Sequence, residues 1–205
     1  MRENNAMLHR PDPPGTAAPG GRSGADLNDA RLIGLITQQD GLAFDTLYRA
    51  YFPRLGRFLG RFTRSVQLIE EVINDTMLVV WQRAHTYDLS AKVSTWIFAI
   101  AYRKALKALR VLTEPVEADF DLLAGEPEHE PEVLVNRLEL HVIVEHAVDA
   151  LPLLQRTVVN LTYYHDMAYG EIAVIMDCPV NTVKTRMFHA RRRLNNALAG
   201  LLEVA

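Results

Sequence analysis

Apolar positions recur along this chain at steps of three and four, the spacing of one face of an α-helix, and no stretch alternates like a strand. Asn28 or Asp29 can cap a first short helix that runs through Ile36 and ends near Asp40-Gly41. Phe44, Leu47, Tyr48, Tyr51, Phe52, Leu55, Phe58, Leu59 and Phe62 then mark a longer amphipathic helix with an aromatic stripe, which Pro53 can bend. Leu68, Val72, Met77 and either Val80 or Trp81 give the inward side of a third helix, from Ser65 to Ala84. A polar connector, His85 to Lys92, leads to a fourth helix from Ser94 to Leu112. The pattern then lapses. It resumes near Val133, where Leu134, Leu138, Val142 and Val148 give a helix to Ala150, and Leu151-Pro152 opens another from Leu153 to Tyr164. Two short helical patterns follow, Tyr169 to Met176 and Asn181 to Leu198. The expected fold is therefore all-α, with two small helical domains: a tail at 1–27, a domain at 28–112, a linker at 113–132 and a second domain at 133–205.

The last two patterns carry the most specific signal. Asp177-Cys178-Pro179 breaks the first, because a proline disfavours helix in the residue before it. Asn181 is an N-cap candidate for the second. In that second helix Val183, Met187, Ala190, Leu194 and Leu198 form the buried face, so Asn181, Thr185, Phe188, His189 and Arg192 point outward, flanked by Lys184 and Arg186. No acidic residue occurs from Thr182 to Leu198, whereas Lys184, Arg186, Arg191, Arg192 and Arg193 are basic. Two short helices with a tight turn and a cationic second helix describe a helix-turn-helix that binds DNA.

Composition looks at first like a contradiction. The 205 residues carry 22 Lys and Arg against 25 Asp and Glu, a net charge of -3, which is unusual for a nucleic-acid binder. The average hides an asymmetry. From Thr113 to Glu139 the chain is acidic and punctuated by Pro115, Gly125, Pro127 and Pro131, so it reads as an extended linker that cancels the charge of two basic helices. Residues 1 to about 25 are rich in proline and glycine and read as a disordered tail. A single cysteine, Cys178, excludes a disulfide framework and any multi-cysteine metal site, and suits a packing role in the turn. No apolar run reaches the ~18 residues of a membrane span, and the N-terminus lacks a signal-peptide core, so a cytoplasmic location without membrane insertion is expected.

The first domain adds a second cationic surface. Lys92, Arg103, Lys104, Lys107 and Arg110 are basic with no acid from Ala91 to Arg110, and Tyr87, Trp96, Phe98 and Tyr102 lie among them or just upstream. Cations that track phosphates beside aromatics that stack on bases suit unpaired DNA, although Trp96 and Phe98 can equally be core. The third helix has the opposite sign, with Glu70, Glu71 and Asp75 beside Asn74, a face that is either solvated or set against a basic partner. Other chemistries are weaker. His165-Asp166 and Glu145-His146 are polar pairs without a nucleophile, read as exposed surface pairs. His141 and His146 are five apart and share no helix face for a metal, so no enzyme site, cofactor or metal is expected. An ordinary helix-turn-helix regulator that represses or activates as a dimer would need a dimerisation surface or effector pocket, and the first domain offers a basic aromatic helix instead.

Three stretches in order carry a family resemblance: FDTLYRAYFPRLGRFLGRF; IEEVINDTMLVVW with STWIFAIAYRKALKALR; and LPLLQRTVVNLTYYHDMAYGEIAVIMDCPVNTVKTRMFHARRRL. Together they resemble the extracytoplasmic-function sigma factors of the sigma-70 family, over about Asp29 to Leu202. The resemblance implies a protein that is not an enzyme, binds core RNA polymerase, recognises two promoter elements and helps melt the downstream one. It implies that Glu70, Glu71, Asp75 and Trp81 dock on the polymerase clamp helices. It implies that Tyr87, Asp88, Leu89, Ser90 and Lys92, with Tyr102, Arg103, Lys104 and Lys107, serve the minus ten element. Asn181, Thr182, Lys184, Thr185, Arg186, Phe188, His189 and Arg192 would then serve the minus thirty-five element, the basic members holding phosphates. An anti-sigma factor, often membrane-bound, is the implied regulator, no homo-oligomer is implied, and the acidic linker would lie in the polymerase's RNA path. The chain departs from the family pattern at Leu68 and Ile69, which match an acid and a small residue. It departs also at Ala99, Tyr102 and Arg103, where arginine, arginine and asparagine are common, and at His189, which replaces a usual arginine.

Overall fold

The computed structural model describes residues 24–112 and 137–202, and all of its regular structure is helical among those residues. The first domain comprises α1 (Gly24–Thr37), α2 (Gly41–Leu59), α3 (Val66–Arg83), a 3-10 turn (Ala84–Thr86) and α4 (Val93–Leu112). The second comprises α5 (Arg137–Asp149), α6 (Leu153–Tyr163), α7 (Tyr169–Met176) and α8 (Val180–Leu202). The expected linker lies outside the described residues, as does the tail up to residue 23. Gly24 to Leu27, expected in the tail, are the first turn of α1.

Local chemistry accounts for most helix ends. Asp40 caps α2 by accepting from the backbone N–H groups of Leu42 and Ala43 at 2.9 and 3.0 Å. The residue before it, Gln39, adopts a left-handed φ of 64°, which turns the chain between α1 and α2. Ser65 caps α3 through Leu68 N–H at 3.3 Å. Asn28 and Asp29 do not cap α1, because the helix begins before them. Asp29 instead accepts from the buried Tyr51 hydroxyl at 2.6 Å, tying α1 to α2. Asn181 does not cap α8 either, since that helix starts at Val180 and the Pro179 carbonyl accepts from Thr182 and Val183 N–H at 2.9 and 3.3 Å. The turn before it runs through Asp177, left-handed at φ 50°. Aspartate is among the few side chains that tolerate that conformation.

Val72, Met77 and Val80 are buried in α3, and Trp81 stays half exposed with its ring edge-on to Phe44 at 5.2 Å. Leu68 and Ile69 line a small apolar hollow with Leu59, Phe62, Val72 and Ala105, which accounts for apolar residues at those two positions. One connected cluster of buried side chains runs through both domains, from Leu47, Leu55 and Phe58 through Ile97 and Phe98 to Leu161, Ile172, Val183 and Met187.

The domains are therefore packed together, and α7 lies against α4. His165 is part of this seam rather than an exposed surface residue. Its ring sits edge-on to Phe98 at 4.8 Å and to Phe58 at 6.1 Å. Arg61, with a side chain only 14% exposed, pairs with Glu145 and with Asp149 at 2.9 Å, and Arg64 pairs with Asp149 as well. Glu145 also accepts from Tyr164 Oη at 2.5 Å, so it belongs to this ion cluster and not to an exposed pair with His146.

Burial, reinforced by the charges of Arg54 and Arg57, lowers the pKa of His165 to about 4. An unfolded imidazole takes up its proton near pH ~6.5. Between those values the unfolded state binds the proton and the folded state does not, so this residue makes stability fall as pH drops through that window. Denaturant melts across that pH range should show this loss, and His165→Phe should flatten it.

Candidate nucleic-acid and protein interfaces

The outer face of α8 is built by its inner one. Val183, Met187 and Ala190 are buried to 2% exposure or less, which fixes the helix rotation and leaves Asn181, Lys184, Thr185, Phe188, His189 and Arg192 exposed. Phe188 is 63% exposed, with its ring 5.5 Å from that of His189 and nearly perpendicular to it. Phe188 is therefore no core element, and it presents an open aromatic face beside two polar side chains. Thr185 donates its hydroxyl to the Asn181 carbonyl at 3.0 Å, which leaves the oxygen's lone pairs outward. Thr182 is half buried at the turn. Arg186 departs from expectation. It is half buried, turned toward the seam, with a guanidinium nitrogen 3.6 Å from Cys178 Sγ.

The connector before α4 is a structured loop. Tyr87 donates to the Ala91 carbonyl at 2.7 Å, and Asp88 accepts from Ser90 N–H at 2.9 Å. The bonds to Ser90 hold the Asp88 carboxyl below the usual range. Leu89 sits at the tip with φ 63° and 49% of its surface exposed. A left-handed leucine costs about 1–2 kcal/mol, and such strain concentrates where a loop is shaped for a ligand.

Helix α4 has two working faces. Trp96, Arg103, Lys107 and Arg110 stand at i, i+7, i+11 and i+14, one stripe along the helix, with the three cations exposed and Trp96 half exposed beside Tyr87 at 5.5 Å between rings. Trp96 packs against the core on one side and leaves part of its surface open, in helical register with Arg103 and Lys107. The other face holds Thr95, Phe98 and Tyr102, all buried against the second domain. Tyr102 is only 4% exposed, and burial pushes its phenol up to about 12. Its ring therefore cannot reach a base in this arrangement, contrary to expectation. Ala99, 4% exposed, is buried too.

Of the acidic set on α3, Glu70 and Glu71 are exposed. Asp75 instead accepts from Lys104 Nζ at 2.9 Å, so an acid expected to face protein and a cation expected to face DNA partner each other. Phe44, Tyr48 and Phe52 form an aromatic ladder on α2 beside this face, with Tyr48 Oη donating to Asn74 at 2.8 Å.

The family models that match are Sigma-70 region 2, over residues 47–113, and Sigma-70 region 4, over residues 141–194. The ECF RNA polymerase sigma factor RpoE of Cereibacter sphaeroides is 30% identical over 164 residues, covering 78% of this chain and 89% of the relative. This chain is an ECF sigma factor of the sigma-70 family. The RNA polymerase sigma-H factor of Pseudomonas aeruginosa is 27% identical to this sigma factor over 188 residues, covering 86% and 97% of the two chains. The ECF RNA polymerase sigma-E factor of Escherichia coli is 27% identical over 186 residues. Among solved structures, CnrH in complex with the cytosolic domain of CnrY is similar with a TM-score of 0.62 at 20% identity, covering 84% of the sigma factor and 98% of CnrH. RpoE of Bartonella quintana, in complex with the anti-sigma factor NepR, is similar with a TM-score of 0.56 at 20% identity, covering 76% and 96%. The all-α, two-domain architecture of the sigma factor is thus shared. Among the described residues, no helix is long and apolar enough to cross a membrane.

The exposed α8 face predicts a specific salt response. Each phosphate contact contributes a slope of about -0.9 in log K against log salt. Lys184→Ala and Arg192→Ala should each weaken duplex binding uniformly across sequences and reduce that slope by about one, as read by titrations at several salt concentrations.

Proposed function

We propose that this sigma factor directs initiation by dividing three contacts among three helices: α3 to core RNA polymerase, the Tyr87–Lys92 loop with α4 to the minus ten element, and α8 to the minus thirty-five element. The observation that carries the reading is the outer face of α8, where Thr185, Phe188, His189 and Arg192 stand exposed together on a helix whose opposite side is locked in the core. Thr185, Phe188 and His189 read bases there, and Lys184 and Arg192 hold phosphates. On the first domain, Arg103 and Lys107 follow the phosphates of the unpaired strand while Trp96 and Tyr87 offer aromatic faces to its bases. The strained loop with Leu89 at its tip shapes the minus ten contact, aided by Asp88, Ser90 and Lys92. Glu70 and Glu71, with Trp81 and the aromatic ladder, form the polymerase face. Asp75 supports that face from its pair with Lys104. The solved similar chains are titled as complexes with CnrY and with the anti-sigma factor NepR, which supports an anti-sigma partner for this chain as well. The site of action is the cytoplasm, where polymerase is.

Run-off transcription with purified core polymerase tests the whole reading. A sigma factor supports initiation from its promoter with no other sigma present, and a regulator without sigma activity does not. Glu71→Arg is the sharper variant for the polymerase face, because Glu71 is exposed, whereas a change at Asp75 would also strand Lys104. It should weaken polymerase binding at least tenfold, leave Tm unchanged and leave duplex binding by α8 intact. Equal loss of polymerase and duplex binding would sink the assignment.

His189→Arg tests base reading. A base contact is worth about 1–3 kcal/mol, so promoter preference at one or two positions of the minus thirty-five element should shift by roughly a factor of five to a hundred. The measurement is a randomised minus thirty-five library selected with each protein. An unchanged profile would mean position 189 does not read bases.

A further inference from the structure

One end of the first domain is apolar, open and rimmed by cations. The hollow there, where α2 ends beside α3 and α4, is lined by Phe62, Leu68, Ile69, Ala105, Ala108 and Leu109. Leu68, Ile69, Ala108 and Leu109 are only half buried, so it opens to the surface. Val66 and Val111 extend it. They stand one helical turn from Ile69 and Ala108 and are 66% and 77% exposed. The charges next in sequence to the lining are mostly positive. Arg61 and Arg64 flank Phe62 and Thr63, and Lys107 and Arg110 flank Ala108 and Leu109, against the single acid Glu70 after Ile69. Lys107 and Arg110 are exposed, and Arg64 keeps 85% of its side chain exposed although it pairs with Asp149. An apolar surface open to water and rimmed by positive charge suits an amphipathic acidic partner.

We propose that this hollow is the docking site of the chain's own residues 116–124, in the stretch that joins α4 to α5. That stretch lies outside the described residues, and its sequence fits the hollow in both respects. VEADFDLLA places Val116, Phe120 and Leu123 at i, i+4 and i+7, the spacing that a helix brings to one face, with Glu117, Asp119 and Asp121 among them. Pro115 precedes the run and Gly125 follows it, residues suited to the first turn of a helix and to its end. Charge alone does not select the segment. Residues 126–132 also hold four acids, Glu126, Glu128, Glu130 and Glu132, but between them stand only prolines and a histidine. Connection favours the same segment. α4 ends at Leu112, one turn beyond Ala108, and three residues, Thr113, Glu114 and Pro115, separate it from Val116. A loop of that length joins antiparallel helices. Run back along α4, residues 116–123 would span about 10 Å as a helix, close to the roughly 9 Å of α4 between Ala105 and Val111. So short a tether gives an effective concentration on the order of millimolar, so a fit of modest affinity is enough. Docking assigns the start of the linker to the first domain and leaves residues 125–136 to reach α5. It needs nothing of the promoter assignment.

Hydrogen exchange read by mass spectrometry on the full chain tests this. We expect the amides of residues 117–124 to exchange about tenfold more slowly than those of residues 126–132, each relative to its unfolded rate, as a segment docked about nine-tenths of the time requires. Two variants remove the fit. Phe120→Ser with Leu123→Ser deletes the apolar face of the segment, outside both domains. Val111→Glu sets a carboxylate against it from an exposed position of α4. We expect each to abolish the protection and to leave exchange in α2 and α6 unchanged. Should Val111→Glu disturb α4 itself, seen as faster exchange across that helix, Val66→Glu on the opposite rim takes its place. Equal exchange of the two linker stretches in the parent chain would overturn the proposal. So would protection that survives the loss of Phe120 and Leu123, or protection that survives the rim carboxylate, since the segment would then lie elsewhere. Protection that fades on dilution would overturn docking within one chain and give the hollow to the segment of a second copy.

Discussion

Arg61 places a permanent positive charge where little water reaches it, and the relation between the two domains depends on how that charge is met. Burial disfavours the guanidinium, but Glu145 and Asp149 outweigh that penalty and raise its pKa further. Both carboxylates come from α5 of the other domain. Hydrogen bonds to charged groups are worth about 1.5–3 kcal/mol each, and a sheltered cation left without them would cost more than the bonds contribute. Parting the domains therefore requires that Arg61 be hydrated or re-paired as it emerges. The apolar part of the seam, His165 between Phe58 and Phe98, imposes a parallel condition, since burial there favours the neutral imidazole.

From that constraint follows the division of labour within α4. The helix is wedged between its own domain and α7, so its residues sort by angle. Thr95, Phe98 and Tyr102 go inward to the seam, and Trp96, Arg103, Lys107 and Arg110 go to the open side. A helix that needs both a packed face and a nucleic-acid face can supply them only by register, because side chains three or four apart share a side and their neighbours do not. The same logic holds in α8. Its buried stripe of Val183, Met187 and Ala190 keeps the reading face outward, whereas Arg186, at the boundary between the two faces, is captured by the seam.

Glu171 shows how one residue joins levels of structure. As the third residue of α7 it accepts the Ala168 N–H, half of a capping box, because Ala168 has no oxygen to return the bond. As a surface carboxylate it also receives Lys92 and Thr95. Local helix formation and domain closure thus draw on the same two oxygens. The rotation of α7 that satisfies its own backbone is the rotation that presents it to α4.

The sequence by itself determined the helices, their buried faces and the chemistry of each surface. Periodicity fixes which side of a helix is apolar, and a helix with several cations and no acid presents a positive face wherever it ends up. The family resemblance was legible for the same reason, since Phe44 to Phe62, Ile69 to Trp81, Ser94 to Arg110 and Leu151 to Leu194 are each contiguous stretches. Helix starts were less legible: Asp29 and Asn181 have capping side chains, but Tyr51 claims the first and the Pro179 carbonyl makes the second unnecessary. What only the tertiary structure decided was partnership across long separations. Asp75 with Lys104, Arg61 with Asp149, and Glu171 with Lys92 are ordinary surface charges when read along the chain. Their meaning depends on which helices meet, and charge pairing carries no sequence period from which that could be read.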